Sequence, residues 1–458
     1  MDKDKLAEYL AGALGRDNVI IDRDIMERYS RDETSDLSGQ PDIVVRAKSA
    51  ADVSNVFKIC SRLKVPVTPR GAGTGVTGGA IPVRGGVVLS LEMMNRIIEI
   101  DRENMVAVVE PGVITGRLQE AALENGLMYP PDPASLDSCS IGGNVAEGAG
   151  GPRAVKYGTT KDYVLGLEFV LPDGTIINTG GKYVKNATGY NLTGILTGSE
   201  GTLAVITKIY LRLIPAPQEV LDILVPFQSI RDALELVSKL ILGRIIPAAI
   251  EFMDEDAVKF VKKFLKEEMP FPDAGALLLI QIDGDSEDEI MNHLEKIKKY
   301  LNDDSVFVAS AKNQRERLWK ARRSIREAIE HESRVFLSED TVVPRSEIPK
   351  FLTEVKQYFN SKGLVSAMFG HAGDGNVHID VLKCDMDYDD WKKIVPEIKK
   401  NLYKIAVAHG GTLTGEHGIG VLRRDYLDIA VSKEQIELLK RIKAAFDPEN
   451  ILNPGKIF

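Results

Sequence analysis

Histidine is scarce in this 458-residue chain, which contains six, and three of them fall in two short glycine-rich segments. His371 and His378 are seven residues apart, and His417 directly follows Glu416. Two imidazoles and one carboxylate suit a divalent cation such as Zn²⁺, Fe²⁺ or Mn²⁺ with positions open for a substrate. His371, His378 and Glu416 are therefore candidate metal ligands. The sequence alone leaves open the alternative that the histidines hydrogen-bond backbone groups at tight turns.

Two other glycine-rich segments have the composition of phosphate-binding loops. The first runs from Pro69 to Gly79, directly after a predicted strand, and the second runs from Ser140 to Gly151. Closely spaced glycines allow several backbone N–H groups to converge on one anion. Two such segments favour a dinucleotide gripped from two sides, with two unrelated structural turns as the alternative. Neither ends in Gly-Lys-Ser/Thr, which argues against an ATPase.

The sequence around these residues divides into two regions with different patterns of predicted helices and strands. Residues 42–69 read as a strand, a helix and a strand, and short β runs separated by glycine continue to Pro217. After residues 215–217 long amphipathic helices alternate with single strands. This pattern predicts an α+β protein with a second domain that begins near residue 218.

Composition excludes several classes of function. The chain has 58 basic and 67 acidic residues, a net charge of −9, which argues against general nucleic-acid binding. No run of about 18 uncharged apolar residues occurs, so no transmembrane helix is expected. The polar start at residues 1–5 predicts no signal peptide and hence a cytoplasmic location, with peripheral membrane attachment left open. The three cysteines are too few for a four-thiolate iron–sulfur cluster.

Five motifs carry a specific resemblance. They are Arg70-Gly71-Ala72-Gly73-Thr74-Gly75, Pro131-Asp132-Pro133, Ile141-Gly142-Gly143-Asn144, Asn186-Ala187-Thr188-Gly189-Tyr190-Asn191-Leu192 and Gly198-Ser199-Glu200-Gly201-Thr202-Leu203. Over residues 40–217 the chain resembles the FAD-binding domain of the vanillyl-alcohol oxidase (PCMH-type) flavoproteins. The resemblance continues to Phe458 in the branch that contains glycolate oxidase D subunits and FAD-linked D-lactate and D-2-hydroxyglutarate dehydrogenases.

The resemblance implies non-covalently bound FAD, because the histidine that attaches the flavin in some relatives has no counterpart after Arg70. It implies that the cofactor contacts Pro69, Arg70, Gly71, Ala72, Gly73, Thr74, Gly75, Pro131, Asp132, Ser140, Gly142, Gly143, Asn144, Gly150, Glu200, Ile206 and Asn453. It also implies a PCMH-type FAD-binding domain at residues 1–218 and an α+β cap domain, with a central antiparallel sheet flanked by helices, at 219–412. Residues 413–458 would return to the FAD domain with active-site residues.

The same resemblance assigns roles to the chemistry-bearing residues. In the D-2-hydroxyglutarate dehydrogenase group, the positions that match His371, His378 and Glu416 are metal ligands, and the match to His417 is the general base. Arg322 matches a substrate-binding arginine. Arg322 and Arg326 lie at i, i+4 spacing on one predicted helix face, so Arg322 is expected to bind the substrate carboxylate. For Arg326 a solvated basic face is an equal alternative.

One departure from the dicarboxylate-specific relatives bears on the substrate, because Ser338 stands where those relatives have lysine. Asp380 is a separate departure: one branch of the family has asparagine there, and the resemblance assigns no role to Asp380. The loss of a cation disfavours 2-hydroxyglutarate and favours a small monocarboxylate.

The sequence therefore predicts an FAD- and metal-dependent enzyme that oxidises a small D-2-hydroxy acid, D-lactate in preference to glycolate, by hydride transfer to flavin N5. The electrons would pass to an external acceptor such as an electron-transfer flavoprotein, an iron–sulfur subunit or a quinone. The alternatives are a D-2-hydroxyglutarate dehydrogenase, a glycolate oxidase subunit that uses O₂, a non-redox flavoprotein like the alkyl-dihydroxyacetone-phosphate synthases, and an FAD-binding scaffold without turnover.

Overall fold

The computed structural model describes residues 3–266, 270–301 and 306–458. The chain forms two compact units that both contain helices and sheets, which confirms the predicted α+β class. Unit 1 comprises Met1–Ala149, Thr159–Ala216 and His417–Phe458, and unit 2 comprises Gly150–Gly158 and Pro217–Glu416. Residues 150–158, which the sequence analysis placed in the first domain, thus belong to unit 2.

Unit 1 contains a four-stranded sheet that follows the predicted β-α-β unit. Ser49 caps its helix, because the Ser49 hydroxyl accepts from the N–H of Asp52. The two strands of the unit do not pair with each other. Both run parallel to the strand Val87–Ser90, which lies between them. The strands of this sheet, in spatial order, are Val19–Ile20, Ile43–Arg46, Val87–Ser90 and Val67–Arg70.

A five-stranded antiparallel sheet and a two-stranded pair complete unit 1. The five strands, in spatial order, are Ile97–Asp101, Val106–Val109, Val205–Arg212, Val164–Val170 and Ile176–Gly180. The pair consists of Leu127–Met128 and Ile214–Pro215. The α-helices of unit 1 are Lys3–Leu14, Arg23–Glu27, Ala50–Leu63, Thr115–Leu123, Ile141–Glu147, Leu192–Leu196 and Lys433–Phe446, and its 3₁₀ helices are Arg16–Asn18, Thr160–Asp162 and Arg424–Ile429.

Unit 2 is built on one seven-stranded sheet in which every neighbouring pair is antiparallel. Its strands, in spatial order, are Phe307–Ala309, Glu219–Phe227, Ala276–Gly284, Ala249–Asp254, Val365–His371, Asn376–Leu382 and Phe336–Val342. Its α-helices are Ala154–Tyr157, Ile230–Leu242, Glu255–Leu265, Glu287–Lys298, Lys312–Arg323, Ile325–Glu332, Ile348–Ser361 and Tyr388–Ala408, with a 3₁₀ turn at Arg345–Glu347. This arrangement is the predicted central antiparallel sheet flanked by helices.

The two faces of this sheet differ in chemistry. One face packs an extensive apolar cluster against the helices at 230–242, 287–298, 348–361 and 388–408. The opposite face has a smaller apolar cluster and a row of buried polar side chains. Because strand residues alternate between faces, Glu251, His371, His378 and Asp380 all lie on this second face.

The single helix predicted to carry Arg322 and Arg326 is interrupted. It ends at Arg323, and a new helix begins at Ile325 after Ser324, whose ψ is 5°. As a result Arg322 is buried, whereas Arg326 is partly exposed and pairs with Glu330 on its own helix. The prediction that both arginines share one continuous helix face was wrong.

Within the described part of the chain, no helix combines the length and low polarity that crossing a lipid bilayer requires.

Candidate cofactor and metal sites

The two glycine-rich segments of unit 1 meet at one side chain. The Ser140 hydroxyl accepts from the N–H of Ala72 and of Gly143, each at 3.3 Å. A Cβ atom at Gly71 would overlap this hydroxyl, so only glycine allows the two segments to approach so closely. The second segment is not a loop throughout, because Ser140 caps the helix Ile141–Glu147. A loop and a helix N-terminus rich in backbone N–H groups therefore lie side by side.

Several predicted cofactor residues have their side chains engaged within the protein. The Arg70 guanidinium donates to the carbonyl oxygens of Arg31, at 2.7 Å, and Arg28, at 3.3 Å. The Asn144 amide donates to Thr115 Oγ1 at 2.7 Å. These side chains hold the surrounding backbone in place, so any contact they make with a cofactor comes in addition to this role.

A second group of predicted residues is organised around the C-terminal segment. The Glu200 carboxylate accepts from the N–H groups of Ile419, at 2.8 Å, and Gly420, at 2.6 Å. Asn453 Nδ2 donates to the carbonyl oxygens of Gly79, at 3.1 Å, and Glu200, at 3.0 Å. Asn453 thus joins the glycine loop to Glu200. Its Oδ1 is buried and, among the described residues, has no hydrogen-bond partner.

The remaining predicted cofactor residues occupy different places. Pro131 and Asp132 are buried in an irregular segment, and Gln119 Nε2 donates to Pro131 O at 2.8 Å. Ile206 is buried on the strand Val205–Arg212. Gly150 lies in unit 2, where a Cβ atom on it would be 2.7 Å from Glu416 Oε2. The close pairing of the glycine loop with the Ser140 helix fits a phosphate-bearing cofactor in unit 1.

In unit 2, His371 and His378 are brought together by a β-hairpin. The strands Val365–His371 and Asn376–Leu382 are neighbours, with Phe369 opposite His378. The two imidazole rings are 5.2 Å apart between centroids and nearly perpendicular. Both histidines are buried.

Glu416 completes this donor set. Its Oε1 is 3.6 Å from Nε2 of His371 and 3.6 Å from Nε2 of His378. Ligand atoms about 2.0–2.2 Å from one tetrahedral cation lie about 3.3–3.6 Å from each other. The three residues therefore fit a divalent cation.

A buried carboxylate that sequence reasoning missed, Asp340, positions the segment that carries Glu416. Asp340 Oδ2 accepts from the Thr414 hydroxyl at 2.7 Å and from the N–H groups of Gly415 and Glu416 at 3.1 and 3.0 Å. Asp340 is fully buried and lies opposite His378 in the sheet. It thereby fixes the backbone of one ligand beside the strand of another.

A second missed residue, Glu251, connects the donor set to Arg322. Glu251 Oε1 is 2.7 Å from Nδ1 of His371, and Oε2 is 2.6 Å from Nη2 of Arg322. The strand that carries Glu251 is an apolar run with two acids, Glu251 and Asp254, and only the pairing of Glu251 opposite His371 reveals the contact. Arg322 also stacks over Phe369, with Cζ 5.0 Å from the ring centroid.

The charges at this site favour a cation. Burial would raise the pKa of Glu416, but hydrogen bonding to His371 and the charges of both histidines lower it to about 2. Burial opposes protonation of His371, yet Glu251 and Glu416 raise its pKa well above the ordinary value. The two carboxylates thus stabilise positive charge at His371, and a divalent cation would supply such a charge in place of a proton.

His417 begins the C-terminal segment of unit 1 and directly follows the candidate ligand Glu416 in the chain. Its carbonyl oxygen accepts from the Thr77 hydroxyl at 3.2 Å. Its backbone is therefore tied to the glycine loop.

Comparisons with known proteins place these sites in a family context. Residues 41–180 match the model described as "FAD binding domain", and residues 216–457 match "FAD linked oxidases, C-terminal domain". The chain is 41% identical to glycolate oxidase subunit GlcD of Bacillus subtilis, covering 94% of this chain and 92% of that protein. It is 38% identical to a D-lactate dehydrogenase of Anaerostipes hadrus, with 96% and 94% covered.

A solved structure shares the fold. p-Cresol methylhydroxylase superposes with a TM-score of 0.81 at 21% identity, covering 99% of this chain and 96% of that one. This likeness confirms the PCMH-type fold predicted from the motifs.

We predict that Ser140→Ala weakens FAD binding, because Ala72 and Gly143 lose their shared acceptor. The lost cap should also lower the free energy of unfolding by about 1 kcal/mol. FAD affinity is measured by fluorescence titration of the deflavinated protein. The matched control is Ser432→Ala, which removes the cap of the helix Lys433–Phe446, where the hydroxyl accepts from the N–H of Gln435. Equal FAD affinity in both variants would contradict the prediction.

We predict that His378→Ala depletes the bound metal, because one of three ligands is lost. Metal affinity should fall more than about tenfold. Loss of an outer-shell partner alone lowers metal affinity about 10–100-fold, and loss of a direct ligand should cost at least as much. Elemental analysis of protein dialysed against zinc measures the effect, with the exposed His331→Ala as control. An unchanged metal content in His378→Ala would remove this residue from the ligand set.

Proposed function

The chain belongs to the FAD-linked oxidase family, and we propose that it uses FAD and a divalent cation to oxidise a small D-2-hydroxy acid to the 2-oxo acid. D-lactate is the preferred substrate. The observation that carries the proposal is the donor set of the buried His371 and His378 and the partly buried Glu416 in a chain with an FAD-binding domain. Glycolate and D-lactate, which the names of two relatives contain, are both small 2-hydroxy acids.

The residues that would hold the two cofactors are distinct. The glycine loop 69–79 and the capped helix Ile141–Glu147 present N–H groups to the FAD pyrophosphate. Bound FAD supplies an acceptor for the hydride that leaves the substrate Cα. A cation held by His371, His378 and Glu416 supplies a Lewis acid that makes the substrate hydroxyl more acidic.

Two further residues act on the substrate in this proposal. The imidazole of His417 accepts the proton of the substrate hydroxyl. Arg322 binds the substrate carboxylate. One of its nitrogens pairs with Glu251, while its buried Nε has no hydrogen-bond partner among the described residues. A guanidinium fork retains donors for a carboxylate after one such pairing.

The preference for a monocarboxylate is supported by Asp380. Asp380 lies two residues beyond His378 on the same strand and face, opposite Ser338. It is 1% exposed, and burial, partly offset by the Ser338 hydroxyl, raises its pKa to about 6. When it is ionised, this carboxylate repels a second carboxylate on a substrate.

The electrons must leave the reduced flavin through another molecule. Cys60 and Cys139 are buried, Cys384 is exposed, and three thiols cannot ligate a four-cysteine cluster. An electron-transfer flavoprotein, an iron–sulfur subunit or a quinone is therefore the proposed acceptor.

The proposal predicts that anaerobic D-lactate bleaches the flavin absorbance and that His417→Ala slows this reduction by orders of magnitude without loss of FAD. Stopped-flow mixing of the FAD-loaded protein measures the rate, with His331→Ala as control. L-Lactate, glycolate and D-2-hydroxyglutarate complete the substrate panel. An unreduced flavin in the wild type would overturn the proposed function. Normal flavin reduction in His417→Ala would overturn the assignment of His417 as the base. Rapid turnover with O₂ as the only acceptor would make the protein an oxidase.

We predict that Asp380→Asn shifts selectivity toward D-2-hydroxyglutarate, because the variant removes the like charge. The ratio of kcat/KM for D-2-hydroxyglutarate to that for D-lactate should rise about tenfold, which corresponds to about 1.4 kcal/mol. The control is Asp254→Asn, a buried acid that caps the helix Glu255–Leu265. An unchanged ratio in Asp380→Asn would remove Asp380 from the determinants of specificity.

A further inference from the structure

Glu251 is a fully enclosed acid near the donor set, with a relative exposure of 0%. Its neighbour across the sheet is His371, because the strands Ala249–Asp254 and Val365–His371 pair these two residues in register. Backbone pairing therefore sets the separation of the two side chains. An acid in this place costs desolvation energy, which its two partners must offset.

Each carboxylate oxygen of Glu251 has a different partner. Oε1 is 2.7 Å from Nδ1 of His371, a hydrogen-bond distance, and Oε2 is 2.6 Å from Nη2 of Arg322, an ion pair. When Nδ1–H donates to a carboxylate, the lone pair of the imidazole is at Nε2. Nε2 of His371 is the atom that lies 3.6 Å from Glu416.

We infer that Glu251 is a positioning residue with two functions: it holds His371 with Nε2 directed to the cation, and it holds Arg322 in place for the substrate carboxylate. This inference rests on the proposed function, because it concerns the same cation and substrate. Metal affinity and carboxylate recognition then depend on one buried carboxylate. Metal-binding histidines in proteins commonly donate their second N–H to such an acceptor.

The placement of Arg322 supports the second function. Its guanidinium is enclosed between Glu251 and the ring of Phe369, and its side chain is 10% exposed. Without the charge of Glu251, Arg322 would be a buried cation with no ion-pair partner in the described part of the chain. Such a group moves toward water or rearranges, since an uncompensated buried charge is strongly unfavourable.

The test is the variant Glu251→Gln in the FAD-loaded protein, with zinc as the probe. Glutamine keeps an oxygen for the His371 N–H but removes the charge and turns an NH₂ group toward Arg322. Zinc affinity, measured by competition with a chelator, should fall about 10–100-fold. The matched control is Asp222→Asn, a buried carboxylate two strands away in the same sheet that is bound by Gln281 and Trp319 and should keep wild-type zinc affinity.

The second readout concerns Arg322. At saturating zinc, Glu251→Gln should still show a raised KM for D-lactate, because the arginine has lost its partner. A KM restored to the wild-type value would overturn the arginine half of the inference. Unchanged zinc affinity in Glu251→Gln would overturn the histidine half.

Folding defects and failure of the proposed function are separable from these outcomes. Glu251→Asp keeps the charge on a side chain one methylene shorter, so its zinc affinity should lie between those of the wild type and Glu251→Gln. If Glu251→Gln fails to fold, a wild-type zinc affinity in Glu251→Asp would contradict the inference. A wild-type protein that binds no zinc would instead overturn the proposed metal dependence itself.

Discussion

The antiparallel register of the sheet in unit 2 determines the geometry of the candidate metal site. Glu251 is paired with His371, and Asp340 with His378, on adjacent strands of one sheet. Residues directly opposite each other in such a sheet have Cβ atoms about 4.5–5.5 Å apart. A shift of one residue in any of these pairings would turn the side chains to the apolar face. The site therefore exists because the apolar face, with its larger core, fixes the register.

The sequence revealed those parts of the site that are local in the chain. His371 and His378 stand close to each other around a glycine-rich turn, and Ser140 precedes a run of glycines. Glu251 is 120 residues from His371 in the chain. Its strand also ends in an acid, Asp254, so the strand sequence alone does not single out Glu251. Its contact depends on strand order, which periodicity does not encode. Asp340 was missed for the same reason.

The interruption at Ser324 shows a different limit of sequence reasoning. The i, i+4 spacing of Arg322 and Arg326 is compatible with a continuous helix, and serine is only a mild helix breaker. The two arginines have different partners, because Arg322 makes a tertiary contact with the buried Glu251 whereas Arg326 pairs with Glu330 on its own helix. Buried ion pairs of this kind are poor sources of stability. Their presence here is better explained by the orientation they impose.

Asp340 has a consequence for how the donor set can change during evolution. It binds the main-chain N–H groups of Gly415 and Glu416 and the hydroxyl of Thr414, not the Glu416 side chain. The loop conformation is thus independent of the residue type at position 416. A histidine or cysteine introduced at position 416 would start from the same backbone position. Because these side chains are softer ligands than a carboxylate, they would shift metal preference away from hard cations. The scaffold would permit a different candidate ligand at this position without reconstruction of the loop.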